Sequence, residues 1–160
     1  MNICIVGAGA WGTSMAIHLV RQKHTVTLVP RRMEQAMGMA SSRENKDYLP
    51  GVPLDANLQI ASELKPAIME AEAVLFACPS QGILYWCSQL KSAFSSAKRL
   101  RYLVTLCKGL EQSTLQYPVD LVQEQLPGFQ YGVLSGPNYA REVAEGQPTA
   151  TVLAMNAPEE

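Results

Sequence analysis

The hexapeptide Gly7-Ala8-Gly9-Ala10-Trp11-Gly12 constrains this chain more than any other feature. It follows at once on Asn2-Ile3-Cys4-Ile5-Val6, an apolar run rich in β-branched residues. Such a run, stopped by glycine, suits a strand buried on both faces, as a parallel sheet requires. Residues 10–22 then carry Met15, Ala16, Leu19 and Val20 at helical spacing, and residues 25–29 form a second apolar strand before Pro30. The first forty residues therefore read as a β-α-β unit. In that setting Gly7, Gly9 and Gly12 each have a mechanical reason: a tight turn, close approach of backbone to a pyrophosphate, and close packing of helix on strand. The pyrophosphate sits at the helix N-terminus, where unpaired N–H groups and the helix dipole favour an anion. The competing reading is a tight turn with no ligand.

The remainder continues the alternation. Strands are expected over Leu58–Ile60, Ala73–Cys78, Tyr102–Leu106, Tyr131–Leu134 and Thr149–Met155. Helices are expected over Gln81–Phe94, Leu115–Leu126 and Asn138–Ala144. This order implies an α/β fold, a doubly wound and mostly parallel sheet with helices on both faces. The length of 160 residues suits one domain, spanning 1–160. A net charge of -1 removes the case for general nucleic-acid or acidic-membrane binding. Residues 3–20 are largely apolar, yet glycines interrupt them and no basic side chain precedes Arg21, so neither a signal peptide nor membrane insertion is expected. Four scattered cysteines point to a reduced, cytoplasmic protein. His18 and His24 are the only histidines and no cluster pairs them with thiols, so no metal site is expected. Charged residues make up 17%, below the usual ~25%, which implies a core buried on several faces or a surface covered by another body.

A carboxylate about 20 residues beyond the glycine loop selects NAD through the ribose 2′-hydroxyl. Here the second strand ends in Pro30-Arg31-Arg32, with no acid until Glu34. An arginine pair accepts a 2′-phosphate that a carboxylate would repel, so NADP(H) is expected to be favoured over NAD(H). The bland alternative is that Arg31 and Arg32 are a solvated helix start. Ligand crevices in open α/β sheets lie beyond the carboxyl ends of the strands. Lys108, at such an end, is a candidate to polarise a carbonyl or stabilise an alkoxide; taken alone it is an ordinary surface lysine. Ser135-Gly136-Pro137-Asn138 reads as a strand end, a turn and a proline-initiated helix. Asn138 there offers donor and acceptor to a polar substrate, or caps the helix. Tyr48–Gly51 reads as a turn with no chemistry of its own, and Trp11, Trp86 and Tyr139 as packing residues, with the alternative that Trp11 in the glycine loop covers a nucleotide.

The motifs together resemble bacterial NAD(P)-dependent glycerol-3-phosphate dehydrogenase. They are GAGAWGT (Gly7–Thr13), NKDYLPG (Asn45–Gly51), ACPS (Ala77–Ser80), CKGL (Cys107–Leu110) and LSGPNYAREVAEGQPTA (Leu134–Ala150), in the family's order and spacing across the chain. The resemblance implies a Rossmann-like domain and reversible reduction of dihydroxyacetone phosphate to sn-glycerol 3-phosphate, a phospholipid precursor. It implies cofactor contacts at Ala10, Trp11, Arg31 and Ala140, a lysine touching cofactor and substrate at Lys108, and substrate contacts at Gly136 and Asn138. Cys107 departs from the family's usual Ser or Thr, and Asn138 stands where many relatives have Ser or Thr. The family continues into a C-terminal helical domain carrying an acid/base lysine and a phosphate-binding arginine, and a homodimer is compatible with the full-length form. The expectation is that residues 1–160 bind dinucleotide but turn over little alone. Two other readings stay open: a stand-alone NADP(H)-sensing module, and a related 2-hydroxyacid or ketopantoate-type reductase.

Overall fold

In the computed structural model, which describes residues 1–156, the chain runs β1 (Asn2–Val6), α1 (Ala10–Arg21), β2 (Thr25–Val29), α2 (Met33–Ser42), β3 (Glu44–Asn45) and β4 (Leu49–Pro53). It continues through β5 (Gln59–Ile60), α3 (Leu64–Ile68), β6 (Ala73–Phe76), α4 (Ile83–Ala93) and β7 (Tyr102–Thr105). The described part closes with α5 (Pro118–Gln125), β8 (Gln130–Ser135), α6 (Ala140–Glu145) and β9 (Val152–Met155). One sheet has the order β5-β2-β1-β6-β7-β8-β9. Its pairings are parallel except the last, where β9 runs antiparallel to β8. The α/β, doubly wound reading of the sequence holds. Strand order reverses between β1 and β6, which opens a crevice at their carboxyl ends.

The two-residue period of the strands divides the core. Ile3 and Ile5 of β1, Leu28 of β2 and Leu75 of β6 face one side, against Met15, Ala16 and Ile17 of α1 and Met39 of α2. Cys4 and Val6, Val74 and Phe76, and Leu103 face the other, against Ile68 of α3, Ile83 and Leu90 of α4, and Leu121 of α5. Burial on both faces explains why these strands are continuous apolar runs rather than alternating ones.

Several boundaries differ from the expectation. The helix expected from Leu115 starts at Pro118, because Leu115 has φ +56° and Pro118 occupies the first helical position. The helix expected from Asn138 starts at Ala140, since Tyr139 is extended and the Asn138 side chain is tied elsewhere. The strand expected from Thr149 starts at Val152, because Thr149 and Ala150 are the partners that hold Asn138. The strand expected to reach Cys78 ends at Phe76. Residues 49–51, read as a turn, belong to β4, which pairs with β3 in a small hairpin. Helix α3 lies where the sequence reading assigns no element, and α2 begins directly after Arg32, its N-cap, where the alternative reading of the arginine pair placed a helix start.

Candidate functional site

The glycine loop joins β1 to α1, and each glycine answers to a local constraint. Gly7 has φ +100°, and a Cβ there would lie 2.6 Å from the Ala77 carbonyl oxygen and 3.1 Å from the Cys78 nitrogen. The loop is thus seated directly on the backbone that leaves β6. A Cβ on Gly12 would strike the Gly7 carbonyl oxygen and come within 2.9 Å of the Ala77 Cβ, which fixes how closely α1 approaches the loop. Gly9 differs. It caps α1 in extended conformation, no side chain bonds to this helix start, and a Cβ there would meet nothing within 4 Å. Nor does the first turn of α1 contain an acidic residue. The first amides of α1 therefore lack a side-chain cap and carry the positive end of the helix dipole.

Two side chains hold this loop, Gln35, which no sequence motif names, and Asn45, which opens the NKDYLPG motif without a role assigned to it. The Ala8 carbonyl accepts a hydrogen bond from Gln35 Nε2 at 2.9 Å and one from Asn45 Nδ2 at 2.9 Å. Asn45, 1% exposed, also donates from Nδ2 to Thr13 Oγ1 at 2.7 Å. Its Oδ1 is buried without a partner among the described residues. Local spacing gives Asn45 no role, because its partners are 37 and 32 residues away.

The loop forms one wall of a cavity of about 350 Å³, with Arg31, Tyr48, Pro79 and Tyr85 opposite. The Arg31 guanidinium lies 5.0 Å from the Tyr85 ring centroid. Tyr85 in turn meets Trp86 edge to face at 5.2 Å. Arg32 is directed elsewhere. It lines a separate cavity of about 430 Å³ beside α2 and pairs with Asp47 at 3.3 Å, both side chains 59% exposed. The two arginines therefore do not converge on one point. Tyr48, assigned no role from sequence, lines the loop cavity. Trp11 packs against the core on the α1 side rather than lining the cavity.

Lys108 is exposed beyond β7, in an opening of about 520 Å³ shared with Cys107, Tyr117 and Ser135. Gly136, Asn138 and Ala140 lie beyond β8. Asn138 Nδ2 donates to Thr149 Oγ1 at 2.6 Å and to the Ala150 carbonyl at 2.8 Å. Both amide hydrogens are thereby committed, and only Oδ1 is left to accept. A Cβ on Gly136 would sit 2.5 Å from the Ala150 oxygen and 2.7 Å from Asn138 Oδ1, so this turn and residues 149–151 are locked together. Ala140 opens α6, a short helix packed on α1. The structure thus brings Gly7, Gly9 and Arg31 to one cavity, places Lys108 at the next opening along the sheet, and holds Asn138 in a third segment. Among the described residues no group of three His, Cys, Asp or Glu side chains could hold a metal, and no helix is long and apolar enough to cross a membrane.

Comparison with known proteins adds a family. Residues 2–160 match the family model described as NAD-dependent glycerol-3-phosphate dehydrogenase N-terminus. The chain is 41% identical over 155 residues to the NAD(P)+ glycerol-3-phosphate dehydrogenase of Thiobacillus denitrificans, a match covering 96% of this chain and 46% of that relative. It is 40% identical over 157 residues to the enzyme of the same name from Nitrosomonas europaea, covering 98% and 46%. The crystal structure of glycerol-3-phosphate dehydrogenase from Coxiella burnetii superposes with a TM-score of 0.88 at 30% identity, over 97% of this chain and 46% of that one. This chain spans a little under half the length of these relatives.

Proposed function

This chain belongs to the family of NAD-dependent glycerol-3-phosphate dehydrogenase N-terminal domains, and from that premise we propose that it is the cofactor-binding domain of an enzyme interconverting dihydroxyacetone phosphate and sn-glycerol 3-phosphate. The observation that carries the reading is the approach to α1: the helix start has no side-chain cap and no acidic residue in its first turn, and Gly7, Ala8 and Gly9, which lead into it, line the cavity that holds Arg31. A pyrophosphate fits that polarity and that space.

Gly7, Gly9, Ala10, Trp11 and Gly12 supply backbone to the pyrophosphate, and Gly9 admits it because no side chain fills the approach. Arg31, set over Tyr85 at the end of β2, faces the ribose edge. It makes NADP(H) the favoured cofactor over NAD(H), since its fork accepts a 2′-phosphate. Arg32, paired with Asp47, contributes less. The bound dinucleotide would supply the hydride. Lys108 stabilises the developing oxyanion from beyond β7. Gly136 and Asn138 shape the neighbouring turn, and Ala140 borders the cofactor. A C-terminal helical domain supplies the acid/base lysine and the arginine for the substrate phosphate, consistent with the greater length of the relatives. Full-length protein acts in phospholipid precursor synthesis in the cytoplasm, as a homodimer.

Fluorescence titration with NADPH and NADH tests this reading. Arg31→Asp is expected to weaken NADPH by about tenfold to a hundredfold, the range of one charge-assisted hydrogen bond, and NADH far less. Arg32→Asp is expected to shift either cofactor by under about threefold, the scale of an exposed ion pair. Unchanged NADPH affinity in Arg31→Asp would overturn the assignment.

A further inference from the structure

Strands β6 and β7 pair in parallel register with Phe76 opposite Thr105. Two residues beyond the end of each strand stand Cys78 and Cys107, and their Sγ atoms lie 3.8 Å apart. Both are free thiols. Cys78 is 8% exposed, whereas Cys107 is partly exposed at the opening it shares with Lys108. The contact also divides the thiols chemically. The hydrogen bond between the two sulfurs holds the Cys107 thiol below its ordinary value, while that same bond, followed by burial, raises Cys78. Burial pushes Cys4 and Cys87 up to about 12.

We propose that Cys78 and Cys107 form a modification site at which hydrogen peroxide converts two thiols into one intramolecular disulfide across the ends of β6 and β7. Cys107 is the attacking thiolate: its sulfur bonds to one peroxide oxygen, the O–O bond breaks, and the hydroxide released takes up a proton as water. The sulfenic acid so formed faces Cys78. The Cys78 sulfur attacks it, the S–O bond breaks, and the departing hydroxide leaves as water with the Cys78 proton. Two thiols and one peroxide thus give one disulfide and two waters. Closure to the ~2.05 Å of a disulfide draws the two strand ends together. Because Gly7 is seated on the Ala77–Cys78 backbone, that movement reaches the glycine loop, and on the other side it moves the residue preceding Lys108.

The experiment treats the full chain with hydrogen peroxide, blocks remaining thiols, and maps peptides after digestion with trypsin and chymotrypsin, which cuts between Cys78 and Cys87 at Tyr85 and Trp86. The expected product is a monomer two hydrogens lighter with a Cys78–Cys107 cross-link, reversed by dithiothreitol and absent in both Cys107→Ser and Cys78→Ser. Sulfinic acid on Cys107 with Cys78 still alkylatable, or a cross-link between two molecules, would overturn it. The consequence for binding rests on the cofactor reading above: oxidised protein should bind NADPH about tenfold more weakly. The two ideas fail separately, since an absent cross-link sinks the site whatever binds, and a reduced protein that ignores NADPH sinks the cofactor reading whatever cross-links.

Discussion

Glu111 sits between β7 and α5, buried, with its carboxylate accepting hydrogen bonds from the hydroxyls and amides of Ser113 and Thr114. These donors favour the ionised form, the Ser113 hydroxyl most, and hold its pKa at about 2 against an ordinary 4.5. A depressed folded-state value means that Glu111 stabilises the fold fully above the unfolded value. That contribution is lost as pH falls from 4.5 through about 2. Thermal midpoints measured down this range should therefore fall for the native chain, and Glu111→Gln should flatten part of the decline. An identical acid limb in both proteins would refute the role. At this scale the sequence is legible where a residue acts through its own backbone, as Gly7 and Gly9 do. It is not legible where a long side chain chooses between two directions. Arg31 and Arg32 are adjacent and chemically identical, yet one lies over Tyr85 and the other pairs with Asp47.

Elements carry the next layer. The β3–β4 hairpin has no strand-like signature in its sequence, yet it delivers Asn45 to the glycine loop from 37 residues away. Only an amide nitrogen can donate to the Ala8 carbonyl, so the orientation of Asn45 is set by that acceptor. Asn45→Ala removes the donor from two buried acceptors, and is expected to cost about 1–3 kcal/mol of stability in chemical denaturation. It should also weaken dinucleotide binding in the same titration that tests Arg31. A variant with full stability and full affinity would make the contact incidental. Helix starts follow similar logic. Pro118 occupies the first position of α5, a local preference of proline that the reading from Leu115 passed over. The start of α6 is not marked in this way. Pro137 lies before it, but Asn138 is claimed by Thr149 and Ala150, contacts 11 and 12 residues away.

In the whole molecule one sheet separates two cores, and the strands belong equally to both. Leu28 lies on the α1 side and Phe76 on the α4 side, each fully buried. Leu28→Ala should cost about 2–5 kcal/mol and Phe76→Ala about 3–5 kcal/mol. Because both cores rest on the same strands, each should lower a single shared unfolding transition. Two separate transitions by calorimetry would contradict that coupling. The segments after β7 and β8 carry four large apolar side chains, Leu115, Tyr117, Tyr139 and Val152, that are 63% to 73% exposed. By itself the sequence determined the β-α-β start, the glycine loop, the doubly wound class and the family, because these depend on near neighbours and on strand periodicity. Only the tertiary structure decided that Arg31 rather than Arg32 faces the cavity, that Asn45 and Gln35 hold the Ala8 carbonyl, and that Cys78 meets Cys107. Each of these is a contact between segments distant along the chain or a choice of side-chain direction, fixed by how strands and helices pack in three dimensions.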